Sequence, residues 1–309
     1  MPRTLSPLHA RLEFAVFSVP VSLMRSLPFP TAFRLGERLG SVAHRLARPQ
    51  RRVALVNLRI AFPEKSDAER LAILAESWRN FGRIAAEFCH MFALDRANVA
   101  ERVTFADPDF WYGEAQTVIG STGILVLTGH VGNWELLCHA IGLYGAPIHL
   151  IHRPFRNELV GRFVNTERQR AGTNLVSKRN AAHELIRVLR RRGIVAVPFD
   201  QNATGRWGVF ADYFSVPAST HPGLARLAEL SGAPVYPVFL VRKGGTPKHE
   251  IVILPAVETV RSGDRRRDTV ENTRRFNRVL EDVVRRHPEQ WIWMHKRWRT
   301  RPPGEPPIY

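Results

Sequence analysis

The sequence predicts an α/β fold, a mixed sheet flanked by helices with a helical N-terminal extension, on three observations. Residues 1–100 carry helical patterning with no strand-like run. Ile124-Leu125-Val126-Leu127 is an uninterrupted apolar stretch, as a strand covered on both faces requires. From there on, strand-like and helix-like segments alternate. No linker separates the two parts, so 1–309 reads as a single domain: 1–100 a helical, membrane-facing part and 101–309 the α/β core.

In chain order, residues 1–60 read as helices broken at Pro20, Pro28 and Pro30. Ser66 with Glu69 has capping-box spacing and opens a helix running to about Leu94. Its apolar residues recur at helical intervals: Leu71, Leu74, Trp78, Phe81, Ile84 and Phe88. After the strand at 124–127, Gly132–Tyr144 reads as a helix and Pro147–Ile151 as a strand. Ala181–Arg192 is a helix stopped by Gly193, and Ile194–Phe199 a strand. Thr220 with Pro222 starts a helix that ends near Gly232. Strands are expected at Val235–Arg242, Ile251–Leu254 and Trp291–Met294, with a basic amphipathic helix at Asp264–Arg286.

Hydrophobic residues make up 44% of the 309 and charged residues 24%, a globular balance. The formal charge of +17 is not ordinary and points to a polyanionic partner, a nucleic acid or an anionic bilayer. No helix-turn-helix, zinc-finger or RNP pattern supports nucleic acid. The positions favour a membrane. Residues 1–60 hold ten Arg against only Glu13 and Glu37, and a second basic cluster spans 261–301. The apolar run Phe14–Met24 is short for a bilayer span and has no small-residue cleavage site. With Arg25, Arg34 and Arg38 beside it, an interfacial helix fits better. Cys89 and Cys138 sit in apolar helical stretches and read as buried free thiols in a reducing compartment. No metal site or cofactor is expected.

Two His-x4-acid pairs occur, His90/Asp95 and His130/Glu135. The spacing alone is weak, and context separates the pairs. Residues five apart on one helix point about 140° away from each other, so His90 and Asp95 are not expected to meet. His130 instead lies in the turn Thr128-Gly129-His130-Val131-Gly132, between a buried strand and a helix. Glu135, in the first turn of that helix, is expected to face back toward the imidazole. A histidine held by a carboxylate is a general base for a hydroxyl nucleophile. No GxSxG elbow is present, so an acyl-serine enzyme is not indicated.

The run from Thr128 to Leu137, Thr-Gly-His-Val-Gly-Asn-Trp-Glu-Leu-Leu, resembles the signature of the lipid A biosynthesis acyltransferases, the lauroyl and myristoyl transferases. Further blocks follow in order: Asn57-Leu58 with Phe62-Pro63, His152-Arg153-Pro154 with Asn157, and Asp200-Gln201-Asn202. Then come Phe214, Pro217 and Thr220 through Ala225, Ala233 to Pro237, and Trp293, His295-Lys296-Arg297 and Arg301-Pro302. The resemblance implies a glycerol-3-phosphate-acyltransferase-like fold. It implies a cytoplasmic-face enzyme of the bacterial inner membrane. That enzyme would transfer a fatty acyl chain from an acyl-carrier-protein thioester to a hydroxyl of a phosphorylated glycolipid, the lipid A precursor. The alternative acceptor is a mannosylated phosphatidylinositol or a glycerophospholipid.

Within that chemistry His130 and Glu135 are the expected catalytic residues. Arg153, after a predicted strand, is expected to hold an acceptor phosphate or polarise the thioester carbonyl. Asp200, at the end of another strand, would position Arg153 or a sugar hydroxyl. Asn133 orders the turn or touches substrate. Lys296 and Arg297 offer phosphate or carrier-protein contacts.

Overall fold

The computed structural model describes residues 6–152, 154–177 and 181–309. Four helices come first: α1 (Pro7–Ser26), α2 (Phe29–Leu46), α3 (Arg48–Ala61) and α4 (Asp67–His90). The Ser66 hydroxyl caps α4 while the Glu69 carboxylate returns to the Ser66 backbone N–H at 2.8 Å. α1 runs through Pro20 instead of breaking there. The bond that proline cannot donate would go to the Val16 carbonyl, on an exposed side of the helix, so the missing bond leaves no carbonyl stranded in the protein core. The break comes at Leu27, whose extended conformation suits the residue before Pro28. α2 and α4 pack at backbone distance, since a Cβ on Gly82 would lie 2.0 Å from the Gly36 carbonyl oxygen.

The α/β part then runs β1 (Val103–Phe105), α5 (Pro108–Phe110), a π-helical turn at Trp111–Ala115, α6 (Gln116–Ser121), β2 (Ile124–Thr128), α7 (Trp134–Leu143), β3 (Ile148–His152), α8 (Glu158–Arg170) and β4 (Asn174–Ser177). It continues with α9 (Ala181–Arg190), β5 (Ile194–Pro198), β6 (Val209–Tyr213), β7 (Val216–Thr220), α10 (Gly223–Ser231), β8 (Val235–Arg242), β9 (His249–Ile253) and α11 (Arg265–Arg286).

Seven strands form one sheet in the order β1-β9-β8-β2-β5-β3-β4. Every pair is parallel except β8–β9, so the sheet is mixed. β2 is central and buried along its whole length. Leu125 and Leu127 face a core shared with α9, α10, α11 and the C-terminal tryptophans. Ile124 and Val126 face a second core under α7 and the 108–121 segment. That double covering explains the unbroken apolar run.

One helix start and one strand need correction. Thr220 ends β7, and α10 begins only at Gly223. β6 and β7 form a separate hairpin whose two turn residues, Phe214 and Ser215, both have positive φ. Trp291–Met294 is not a strand. Trp291 makes one antiparallel bridge to Val131, and the chain then coils through short-range bonds such as Arg297 N–H to His295 O at 2.8 Å.

Candidate active site

The carboxyl ends of β2 and β5 lie side by side, and Phe199 N–H extends their pairing to the Thr128 carbonyl at 2.9 Å. This is where the order of connections along the sheet reverses, the usual place for an α/β ligand crevice. His130 follows β2 and Asp200 follows β5. The Asp200 carboxylate, only 1% exposed, accepts from His130 backbone N–H at 2.8 Å and from Trp291 Nε1 at 2.9 Å, and it pairs with His130 Nδ1 at 2.8 Å. All three partners are donors to a carboxylate that can only accept, so Nδ1 carries the ring proton and Nε2 keeps its lone pair. Trp134 packs edge-on against the ring, with centroids 4.9 Å apart.

Burial presses the His130 ring toward its neutral form. The charge and hydrogen bond of Asp200, with the Glu135 charge behind them, outweigh burial and raise its pKa above 6.5. Burial would likewise push Asp200 upward, but His130, Trp291 and the backbone N–H hold it well below the ordinary carboxylate range.

The carboxylate on the imidazole is therefore Asp200, not Glu135. Glu135 turns to Arg168 of α8 in a two-pronged pair, 3.0 Å to Nε and 2.6 Å to Nη2. It reaches His130 only through its field. The reason is geometric: Glu135 lies in the first turn of α7 and turns toward α8, while β5, paired with β2, brings Asp200 to the Nδ1 edge of the ring. Neither Asp200 as the ring's partner nor Arg168 was anticipated. The strand ends at 128 and 198 held the signal for Asp200. No pattern in the sequence ties Arg168 to Glu135.

The turn itself is built from backbone. Gly132 has φ +61, and a Cβ there would meet the Leu240 carbonyl oxygen at 1.7 Å, so this position requires glycine. Its N–H donates to Gln290 O at 2.9 Å. Asn133 is fully buried, and its side-chain oxygen caps α7 by accepting from Leu136 N–H at 3.0 Å. Its Nδ2 donates to Glu87 at 2.8 Å, which leaves no face for substrate. Glu87 is in turn gripped by both Arg242 terminal nitrogens, at 2.5 and 2.7 Å. Burial pushes Glu87 up, but His249 and Arg242 hold it down at about 2.

Arg297, expected at the substrate, is also fully buried. It donates to Ser219 O at 3.0 Å and Thr220 Oγ1 at 2.6 Å and stacks over Tyr213. It ties the C-terminal segment to β7. Lys296 is exposed, near the Tyr309 ring. The Arg153 expectation lies outside the described residues. Gln201 and Asn202 complete the loop after β5. Gln201 Nε2 stands 3.3 Å from His130 Nε2, and Asn202 N–H donates to His295 Nε2 at 2.9 Å. His90 bonds the Met24 carbonyl at 2.9 Å and makes no pair with Asp95, which caps the turn at Ala97 and Asn98.

A family model for bacterial lipid A biosynthesis acyltransferases matches residues 6–300. The lipid A biosynthesis palmitoleoyltransferase of Escherichia coli K12 is 27% identical over 304 residues, 98% of this chain and 96% of that one. The lauroyltransferase of the same organism is 28% identical over 306 residues, with the same shares covered. Its myristoyltransferase is 27% identical over 273 residues, 87% of this chain and 81% of that one.

Proposed function

Because the chain belongs to the bacterial lipid A biosynthesis acyltransferase family, and so to the O-acyltransferases, we propose that it uses His130 as general base to esterify a hydroxyl of a lipid A precursor. The donor in this reading is an acyl-carrier-protein thioester. The observation that carries it is the His130–Asp200 pair at 2.8 Å, which puts the ring proton on Nδ1 and leaves Nε2 unprotonated and able to accept a proton. Nε2 takes the hydroxyl proton as the oxygen attacks the thioester carbonyl. The C–O bond forms, the tetrahedral intermediate collapses, and the C–S bond breaks. The leaving thiolate recovers the proton from Nε2. Asp200 fixes the tautomer and offsets the positive charge on the ring during the step.

Glu135 supports the same site at longer range and holds Arg168 at its edge. Arg153 remains our choice for the acyl oxygen or an acceptor phosphate, with exposed Lys296 at the rim. The arrangement fits a glycerol-3-phosphate-acyltransferase-like fold in which 1–309 works as one domain.

The exposed residues Leu8, Leu12, Val16, Val19 and Leu23 on α1, and Leu35, Leu39, Val42 and Leu46 on α2, recur at three- and four-residue steps. Each set forms an apolar stripe, with exposed Arg11, Arg34, Arg38 and Arg45 on the same helices. Among the described residues no helix is long and apolar enough to cross a membrane. Such stripes suit a layer lying in the interface of an anionic bilayer, and we assign it to the cytoplasmic face of the inner membrane.

The test is transfer of a lauroyl group from its acyl-carrier-protein thioester to a purified lipid A precursor, read by mass spectrometry. His130→Ala should lower the rate about 10²- to 10⁴-fold in protein that still folds, judged by its circular dichroism. Transfer within threefold of wild type would refute the base assignment.

A further inference from the structure

On the reading of His130 as base, we propose that Gln201 is a specificity-determining residue: its side-chain amide occupies His130 Nε2 until the acceptor hydroxyl displaces it, and so restrains hydrolysis of the donor thioester by water.

The problem it answers is intrinsic to the chemistry. A base able to activate a sugar hydroxyl activates water equally well. Water on Nε2 beside a bound thioester gives its proton to the ring and attacks the carbonyl. The C–S bond breaks, and a free fatty acid and a thiol result. An enzyme that binds its donor first wastes it unless Nε2 is kept from water.

Gln201 is placed to do this. With the proton on Nδ1 facing Asp200, Nε2 can only accept, so the group opposite it must donate, and the Gln201 amide nitrogen stands there at 3.3 Å. An amide N–H donates but is no acid at neutral pH, so it covers the lone pair without protonating it. The amide nitrogen's own lone pair is delocalised, so the group is no nucleophile.

The backbone on either side is pinned. Asp200 is fixed by its three bonds, and Asn202 by His295 on its N–H and by Thr300 on its side chain, at 3.1 Å in both directions. The Gln201 side chain between them is exposed, and its contact to the ring is long. It can swing aside by side-chain rotation alone while the loop stays in place. A hydroxyl delivered by a bound lipid, oriented by the rest of the acceptor, displaces it readily. A lone water lacks that binding energy.

The experiment measures fatty acid released and ester formed from lauroyl–acyl-carrier-protein, with and without the lipid A precursor. Wild type, Gln201→Ala, Gln201→Glu, His130→Ala and the Gln201→Ala/His130→Ala double variant are compared. Gln201→Ala should raise acceptor-independent hydrolysis about threefold to tenfold, the worth of one hydrogen bond, and raise the ratio of fatty acid to ester accordingly. The double variant should lose that gain, because the extra hydrolysis runs through the ring.

Gln201→Glu sets a carboxylate on Nε2 and favours the protonated ring. Both reactions should fall at neutral pH and recover at higher pH. An unmoved limb would mean that the side chain at 201 does not lie against Nε2. Hydrolysis by Gln201→Ala at or below the wild-type rate, or an unmoved limb in Gln201→Glu, with His130→Ala inactive, would overturn the role of Gln201 alone. Full transfer by His130→Ala would overturn the base reading and this inference with it.

Discussion

Replacing Asp200 by Asn changes one oxygen for one NH2 and keeps the shape, so it isolates what the carboxylate does. The wild-type group accepts from three donors: the His130 backbone N–H, Trp291 Nε1 and His130 Nδ1. Asn accepts at one atom only, so either a buried N–H faces another donor or the ring moves its proton to Nε2 and is held in the wrong tautomer. That costs stability on the order of 1–3 kcal/mol, visible as a fall in melting temperature. The catalytic loss is larger. In the attacking step the ring becomes an imidazolium next to Asp200. Unit charges about 4 Å apart interact by about 4 kcal/mol at the effective dielectric suited to protein sites. Losing that in the transition state alone corresponds to about three powers of ten in rate.

The assay is initial lauroyl transfer at saturating donor, with rates normalised to folded enzyme. Glu135→Gln is the control. It breaks the fork to Arg168 and removes a more distant charge, so it should cost about ten- to a hundredfold, less than Asp200→Asn. The reverse ranking, Glu135→Gln losing about a thousandfold and Asp200→Asn less than tenfold, would return the ring's carboxylate to Glu135 and refute the assignment.

Two further outcomes follow from the same structure. His130 must be neutral to act, and its pKa is raised, so the acid limb of kcat/KM against pH should lie above 6.5 and move down in Asp200→Asn. The same raised pKa makes the pair's contribution to stability complete below 6.5 and weaker as pH climbs through the folded value; a limb at or below 6.5 contradicts the pairing. On the membrane side, Val16→Asp with Leu39→Asp places a charge in each exposed apolar stripe. Co-sedimentation with anionic vesicles should drop severalfold, with the melting temperature unchanged, and undiminished binding would remove these stripes from the contact.

The legible parts of the sequence were those where one residue type serves one physical demand. Ile124–Leu127 had to be apolar because both faces of β2 are covered, and Ser66 with Glu69 could be read as a cap because the motif is local. His130 stood out because it sits between two glycines at a strand end. Its partner did not, because the His130–Asp200 contact spans 70 residues and exists only because β5 inserts beside β2. Spacing in the chain favoured Glu135; adjacency in the sheet selects Asp200. The β6–β7 turn was missed for a related reason, since Phe214 and Ser215 adopt positive φ without the glycine that normally signals it. The basic residues misled in part. Arg297 looked like a ligand group, yet it is fully buried under Tyr213 and β7, and Arg242, which anchors Glu87, drew no notice inside an apparently ordinary strand.

That last pair bears on why helices and catalytic core occur together. Asn133 caps the helix that begins directly after the His130 turn, and it reaches Glu87 on α4. Glu87 is buried and would be costly to leave unpaired, so Arg242 at the end of β8 is equally committed. Arg242 also donates to Asn80 on α4 at 2.8 Å. Its backbone exchanges two bonds with the Gln290 side chain, and the Gln290 carbonyl receives the Gly132 N–H. The turn that carries the base is thus clamped between α4 and the C-terminal segment by buried polar bonds, and those through Asn80 and Glu87 are lost if α4 moves. α4 itself meets α2 at backbone contact through Gly82 and Gly36, and α2 bears one of the proposed membrane stripes. From that stripe to His130 the path is α2, α4, Glu87, Asn133 and the turn, joined by packed backbone and buried hydrogen bonds. A helical layer of this kind is not a detachable anchor: the helix proposed to meet the bilayer, α2, packs at backbone contact on the helix, α4, that holds the turn of the base.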